Sequence, residues 1–124
     1  MARHKSRHTF ARTDRLAETI RAIVATEIER LDDDRLELVT VTGVQVDGSY
    51  ATARVFYSAL LAEQEGRLDD VADALEDLRW PIQKAVNRAV RAKRTPQIDF
   101  ALDEVLNEAL RIDDIVEGRG DTSS

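Results

Sequence analysis

Apolar residues recur at helical spacing in the first part of the chain. Thr13 and Asp14 are typical of a helix start, and the apolar stripe that follows ends at the acidic run 32–34. The stripe consists of Leu16, Ile20, Ile23, Val24, Ile28 and Leu31. The pattern predicts a first helix over residues 14–31. It is preceded by residues 1–11, which have no periodic apolar positions and are predicted to form a flexible basic arm.

The period changes from helical to alternating after the acidic run. The alternation changes phase at Gly43, between two pairs of valines: Val39 with Val41, then Val44 with Val46. Such a phase change at a glycine predicts a β-bulge or a bend. The turn residues 47–49 and a second alternating segment over residues 51–58 complete the pattern of an antiparallel hairpin.

A second apolar stripe at helical spacing runs from Leu68 to Val90, after a predicted polar loop over residues 59–68. Pro81 lies inside this stripe. Because proline lacks an amide hydrogen and disfavours helical geometry in the residue before it, we expect a kink near residues 77–81, or a second helix that starts there.

The last part of the chain alternates and then returns to helical spacing. Residues 97–102 predict a third strand, residues 105–112 predict a closing helix, and residues 118–124 predict a disordered tail. The order of elements indicates one α+β domain over residues 12–117, in which helices cover a small sheet.

The composition fits a single globular domain. The chain has 124 residues, 43% of them hydrophobic, and no cysteine. Without cysteine there are no disulfides, zinc fingers, iron–sulfur clusters or catalytic thiols. No apolar run reaches the ~18 residues of a transmembrane helix, and the N-terminus lacks the apolar stretch of a signal peptide. These features predict a cytoplasmic protein without membrane contact, and we expect a monomer.

The charge is strongly segregated, although the net charge is −6. Residues 79–94 carry six basic and no acidic side chains, whereas a solvated helix face usually interleaves both signs. The cations lie opposite the apolar stripe of this helix, which is the arrangement that phosphate binding needs. We therefore predict a nucleic-acid-binding surface. It consists of Lys84, Arg88, Arg91, Lys93 and Arg94, joined by Arg3, Lys5, Arg7, Arg12 and Arg15 of the N-terminal segment.

Other candidate chemistry is weak. His4 and His8 have a helical metal-binding spacing but no third ligand nearby, and Ser49 and Ser58 have no catalytic partner at readable spacing. The phosphate loop and the dinucleotide fingerprint are both missing. We predict no enzyme, no metal and no cofactor.

Two large aromatic residues lie within or near the basic segment, residues 79–94. Trp80 and Phe100 could each stack on a nucleobase, but such residues more often close the core, and we expect the core role for both. On spacing alone, Ala85 is a core residue and Asn87 a surface residue, although Asn87 could also permit a break between two helical pieces.

Four segments together resemble the ribosome-binding factor A family of bacterial small-subunit maturation factors, over residues 12–112. They are Arg12 with Arg15-Leu16, the strand 39–44, the strand 51–58 and the segment 91–103, which reads RAKRTPQIDFALD. The resemblance implies a type II KH-like domain of order αββααβ with a C-terminal helix. Other KH domains clamp nucleic acid with a GxxG loop, which this chain lacks. The family has a helix-kink-helix instead, with an Ala-x-Gly kink that corresponds here to Ala85, Val86 and Asn87. Asparagine thus replaces the glycine.

The resemblance also implies a function. The protein would bind 16S rRNA in the immature 30S subunit near the decoding region, assist late 16S maturation and then dissociate. Asn87 joins the predicted RNA-binding residues, and contacts with ribosomal proteins stay open. The alternative is a protein–protein adaptor that uses its acidic surfaces without direct RNA contact.

Overall fold

The computed structural model describes residues 2–90 and 94–105, with side chains from residue 12 onward. The elements are α1 (Ala2–Leu31), a 3-10 turn (Asp34–Leu36), β1 (Thr40–Val46), β2 (Thr52–Ser58), α2 (Leu60–Gln64), α3 (Leu68–Ala89) and β3 (Gln97–Leu102). The predicted mixed α+β fold with three strands is confirmed. The type II KH-like assignment stays a prediction. Apart from Val105, the predicted closing helix and the tail lie outside the described residues.

The three strands form one mixed sheet in the order β1-β2-β3. The antiparallel pair β1-β2 is the predicted hairpin, and its turn is held by hydrogen bonds from the Asp47 amide to the Thr52 carbonyl and from the Tyr50 amide to the Asp47 carbonyl. Strand β3 pairs parallel to β2. A parallel pair needs a long crossover, and helices α2 and α3 provide it.

The predicted irregularity at Gly43 is a β-bulge. The register shifts between Val41 and Gly43, so that Val41 pairs with Tyr57 and Val46 pairs with Ala53. Val41 and Val46 have opposite parity in sequence, yet both are buried. The bulge adds the one residue that brings both valines to the core face.

Helix α1 begins at Ala2 rather than at Asp14. The backbone of residues 2–11 is therefore helical, where the sequence predicted no helix, and the flexibility of this arm stays a prediction. The physical reason is that these residues include no proline or glycine to stop a helix, so it propagates beyond the apolar stripe. The domain boundary at residue 12 stays a prediction.

Helix α3 is continuous from Leu68 to Ala89, and Pro81 lies inside it. The alternative of a second helix starting near residue 81 is wrong. The buried stripe continues on both sides of the proline, through Leu75 before it and Ile82 and Val86 after it. Packing of this stripe against the sheet outweighs the one backbone hydrogen bond that Pro81 cannot make.

Helix α3 has no break at Ala85, Val86 and Asn87, where the kink was predicted, and the kink itself stays a prediction. All three residues are helical, Ala85 and Val86 are buried in the core stripe, and Asn87 is not among the described residues with a positive φ. The Val90 amide still donates to the Val86 carbonyl at 2.9 Å, and extended backbone begins only at Val90.

The junction between the two crossover helices, α2 and α3, lies at residues 65–67. Residues 60–64, predicted as a polar loop, form α2, and the chain then turns at Gly66 with φ +70° into α3. Glycine suits this turn because its left-handed backbone is costly for other residues.

The helices pack on one face of the sheet. The core joins α1, the sheet and α3 through fully or nearly fully buried aliphatic side chains such as Val24, Val55, Val86 and Ile98. This arrangement leaves the outer faces of α1 and α3 for contacts with other molecules. Within the described part of the chain, no helix is long and apolar enough to cross a membrane.

Candidate functional site

The exposed surface of α3 divides by charge along the helix. Its first half exposes carboxylates, its second half exposes Lys84 and Arg88, and the exposed side chain of Trp80 lies between them. The carboxylates are Asp69, Asp70, Asp73, Glu76 and Asp77. This order complements the helix dipole, which favours anions near the first turn and cations near the last. The cationic end is therefore compatible with the helix as well as with an anionic ligand.

Ion pairing separates the basic side chains that the structure describes into two groups. Six arginines each form a salt bridge with a carboxylate: Arg21, Arg30, Arg35, Arg54, Arg67 and Arg79. Five others form no salt bridge with any described residue: Arg12, Arg15, Lys84, Arg88 and Arg94. All five belong to the predicted phosphate-binding set. We call them the unpaired cations.

Two contacts show that α1 and α3 run in opposite directions. Beyond the C-terminal end of α1, Arg35 Nη1 lies 3.0 Å from Asp77 Oδ2 in the middle of α3. Further towards the N-terminus of α1, a cleft is lined by both helices, with Thr26 on one side and Arg88 on the other. The earlier part of α1, with Arg12 and Arg15, therefore points towards the C-terminal end of α3.

Arg88 also faces one acid across this cleft. The pKa of Glu27 is held below its ordinary value, first by the hydrogen bonds that Arg30 donates to it and to a smaller extent by the positive charge of Arg88. Glu27 is already paired with Arg30, with 2.9 Å between Nη2 and Oε2. Its charge is therefore largely compensated, and Arg88 stays available to an external anion.

The sequence analysis missed Gln83, the one buried polar residue in the described core. Its Nε2 donates to the Pro96 carbonyl at 3.0 Å and to Asn87 Oδ1 at 3.0 Å, and its Oε1 accepts from the Ile98 amide at 2.8 Å. These bonds, which we call the Gln83 bridge, attach the start of β3 to α3. Asn87 thus supports the bridge. The available signal was a polar residue beside Ile82 in the apolar stripe.

The bridge provides a hydrogen-bond partner at a buried position on the edge of the sheet. The Gln97 amide donates to the Ala51 carbonyl, towards β2. Since neighbouring amides of a strand point to opposite sides, the Ile98 amide points away from β2, and Gln83 is its acceptor. The bridge thereby fixes where the chain returns from the basic segment to the sheet.

Several predicted residues cannot be placed. Arg91 and Lys93 lie outside the described residues, and so do the side chains of Arg3, Lys5 and Arg7. Among the residues that are described, no three histidine, cysteine, aspartate or glutamate side chains come together as a metal site would require.

The expectation for Trp80 was wrong and that for Phe100 was right. Phe100 is partly buried and packs against the core. Trp80 is 62% exposed, and the Nζ atom of Lys84 lies over its ring at 5.7 Å from the centroid. Helix α3 turns Trp80 outward because its position in the helical period falls opposite Ile82 and Val86, so it joins Lys84 on the outer face.

A second cleft, of about 610 Å³, lies between the end of α1 and the start of β1. Apolar side chains such as Ile28 and Val41 contribute to its lining, together with the carboxylates Glu29, Asp32, Asp33, Asp34 and Glu37. Leu38 also lines it, is 72% exposed and has a left-handed φ of 59°. This cleft is acidic and lies apart from the unpaired cations.

A three-stranded mixed sheet, covered on one face by helices and carrying unpaired cations on the helical side, defines a small α+β domain with a cationic surface. Residues 12–116 match the family described as Ribosome-binding factor A. A ribosome-binding factor A from Leifsonia xyli subsp. xyli is 37% identical over 107 residues, which cover 86% of this chain and 74% of that protein. The chain belongs to the ribosome-binding factor A family.

Solved structures agree with this family. The crystal structure of ribosome-binding factor A from Thermus thermophilus matches with a TM-score of 0.62 and 29% identity, over 73% of this chain and 94% of that one. A homology model of the Thermus thermophilus factor, fitted into a cryo-EM map of its complex with the 30S subunit, matches with a TM-score of 0.59 and 28% identity, over 74% and 96%.

Proposed function

We propose that this protein binds the immature 30S ribosomal subunit and assists late 16S rRNA maturation. Family membership supports the ribosome as the target, as does the relative that was fitted into a 30S complex. The proposal describes a monomeric cytoplasmic factor without a catalytic step. It also retains the type II KH-like assignment of the fold, with ribosomal proteins as a further class of partner that stays open.

The observation that carries the proposal is the division of the basic side chains. Every described cation outside the predicted surface is paired with a carboxylate, and every described cation within it is unpaired. The helix dipole accounts for cations at the end of α3, but it does not account for the unpaired Arg12, Arg15 and Arg94. A surface that neutralises phosphates needs unpaired cations, because the charge of a cation paired with a carboxylate is already compensated. Each contact between an unpaired cation and a phosphate then releases condensed counterions, which favours binding.

The chemistry of this surface suits the rRNA backbone more than base sequence. Arg88 can donate a forked pair of hydrogen bonds to one phosphate, and Lys84 can act as a point charge one helical turn away. Such contacts position the protein and carry little sequence information. Specificity for the immature subunit would then come from the folded shape of the RNA.

Sedimentation in sucrose gradients tests this proposal. The full chain is mixed with immature or mature 30S subunits at a low and a higher salt concentration, and the protein that sediments with the subunits is measured. We expect more binding to the immature subunit and a steep loss at higher salt.

Matched variants locate the site. Lys84→Gln and Arg88→Gln each remove an unpaired cation and should each reduce the salt slope by about one, whereas Arg54→Gln removes an exposed arginine that is paired with Asp99 and should change little. Equal losses for Arg88→Gln and Arg54→Gln, or no loss for either cation of α3, would contradict the site.

The adaptor alternative has one observation in its favour. The acidic cleft beside Leu38 combines exposed apolar surface with several carboxylates, which is the chemistry that accepts a basic protein segment. Treatment with RNase separates the two functions. If subunit-associated partners stay bound after the RNA is digested, the adaptor is favoured over the RNA-binding factor.

A further inference from the structure

Trp80 is an unusual residue to expose. Tryptophan is highly buried on average, and here the single tryptophan of the chain is 62% exposed in the middle of a helix. The other large apolar side chains that are strongly exposed in the described residues are Leu38 and Val105, and neither is aromatic. A single exposed apolar residue needs no explanation by itself, so the surroundings of Trp80 decide what it can do.

The first relevant feature is the row of cations that continues from Trp80. Lys84 and Arg88 follow at intervals of four residues, so the three side chains lie along one ridge of α3 in steps of about 6 Å. Lys84 Nζ lies over the indole ring. An aromatic ring beside a row of cations is the combination by which proteins hold single-stranded nucleic acid, with bases on the ring and phosphates on the cations.

The second feature is the state of the nearest carboxylates. Glu76 and Asp77 lie one turn before Trp80 and would repel a phosphate if they were unpaired. Glu76 accepts from Arg79 at 3.3 Å, and Asp77 is paired with Arg35 at 3.0 Å. The negative charge beside the ring is therefore compensated, and the repulsive part of α3 begins only at Asp73, about 10 Å along the axis from Trp80.

We propose that Trp80 stacks on an unpaired base of a single-stranded RNA segment, while Lys84 and Arg88 bind phosphates of the same strand. This inference rests on the proposed function and names the form of RNA that the surface takes. Bases in a duplex are stacked on each other and cannot reach the ring, so the surface prefers single strands to duplexes. Because every base has a stacking face, the preference carries little base specificity.

The single tryptophan makes this contact directly measurable. Three probes are added to the full chain: an unstructured oligouridylate, an RNA duplex of the same length and inorganic polyphosphate. Trp80 fluorescence reports stacking, and the anisotropy of end-labelled RNA reports binding independently. Polyphosphate binding is followed by its competition with the labelled RNA. We expect the single strand to quench Trp80 strongly, and polyphosphate to compete for the cations without comparable quenching.

Variants of Trp80 separate stacking from charge. Trp80→Leu should weaken binding of the single strand by roughly 5- to 150-fold, and Trp80→Phe should restore most of the loss because it keeps an aromatic face. The affinity for polyphosphate, calculated from the competition together with the RNA affinity of each protein, should be the same in all three proteins. The side chain is exposed, so both variants should fold, which circular dichroism checks.

The outcomes distinguish this inference from the proposed function. Stacking is wrong, while RNA binding stands, if two results come together. The single strand would bind Trp80→Leu as tightly as it binds the unaltered protein, and it would leave the fluorescence of Trp80 in the unaltered protein unquenched. Equal affinity for the duplex and the single strand also contradicts stacking. If Trp80 is quenched by 30S proteins freed of RNA and not by oligouridylate, the ring contacts protein and the inference is overturned. If RNA and 30S subunits both fail to bind, the proposed function itself fails.

Discussion

Replacing Gln83 by methionine tests the contact that joins β3 to α3. Methionine keeps the length of the side chain and can remain in the core, but it cannot donate to the Pro96 carbonyl or accept from the Ile98 amide. Both backbone groups belong to buried residues, and β2 does not bond to the Ile98 amide. The variant therefore leaves one donor and one acceptor without a partner.

The expected loss follows from those two groups. A buried polar group without a partner costs about 1–3 kcal/mol, so the pair costs about 2–6 kcal/mol. Greater apolar burial by methionine offsets about 1–2 kcal/mol. Taking the middle of both ranges, the net decrease in the free energy of unfolding is then about 2.5 kcal/mol. For a domain of this size each kcal/mol lowers the melting temperature by about 4 °C, which gives about 10 °C.

Urea and thermal unfolding followed by circular dichroism measure this change, since the exposed Trp80 is a poor reporter of the core. Asn87→Ala is the matched control. It removes only the exposed partner of Gln83 and should cost at most about 1 kcal/mol. The reasoning is refuted if Gln83→Met is as stable as the unaltered protein, or if the control loses as much.

A third variant adds a pH test. In Gln83→Glu the ionised carboxylate can accept from the Ile98 amide but faces the Pro96 carbonyl without a hydrogen to donate. We expect the pKa of the new carboxyl to rise in the folded state. The stability relative to the unaltered protein should then be greatest below the ordinary pKa of glutamate, about 4.3, and should fall as the pH rises through the folded-state pKa. A pH-independent difference would contradict the assigned hydrogen bonds.

Three further predictions concern other parts of the fold. Thr42→Val removes the hydroxyl that donates to Asp103 Oδ2 at 2.7 Å across the sheet, and should lower the free energy of unfolding by about 1–2 kcal/mol in urea titrations. Leu38→Gly relieves a left-handed φ of 59° at a side chain that is 72% exposed; we expect a gain of up to about 1 kcal/mol, and a loss would contradict the strain. Burial raises the pKa of Tyr57, so its contribution to stability is complete below about pH 10 and is lost as the pH rises through the folded-state pKa; Tyr57→Phe should lack this part of the alkaline decline in the urea midpoint.

Local backbone structure followed closely from the sequence. The alternation over residues 97–102 predicted β3 with the bounds that it has, Gln97–Leu102, and Gly43 predicted the bulge of β1. Both are properties of a few neighbouring residues. Of the two alternatives predicted at Pro81, the second helix was wrong, because that alternative let a local signal stop a helix. Pro81 lies within α3, since burial of the stripe around it is a larger effect than one lost hydrogen bond.

The site was only partly predictable, for a related reason. The helical period placed Lys84 and Arg88 on one exposed face, as the structure has them. The period also placed Trp80 on the outer face, but the general tendency of tryptophan to be buried led to the wrong expectation for it. The period could not assign a role to Gln83, because its partners Pro96 and Ile98 lie beyond the end of α3, immediately before β3 and within it.

The sequence by itself determined the strands, the helical stripes and the segregation of positive charge, because periodicity and composition depend on residues that are close in the chain. Only the tertiary structure decided the partners that are far apart in the chain: five of the six paired arginines have a carboxylate within three residues, whereas Arg54 is paired with Asp99, 45 residues away. The pair of Arg35 and Asp77 is 42 residues apart in sequence, and the pair of Thr42 and Asp103 is 61 apart. Such partners meet only after the sheet and helices have packed, and this packing leaves Lys84 and Arg88 unpaired beside an exposed Trp80.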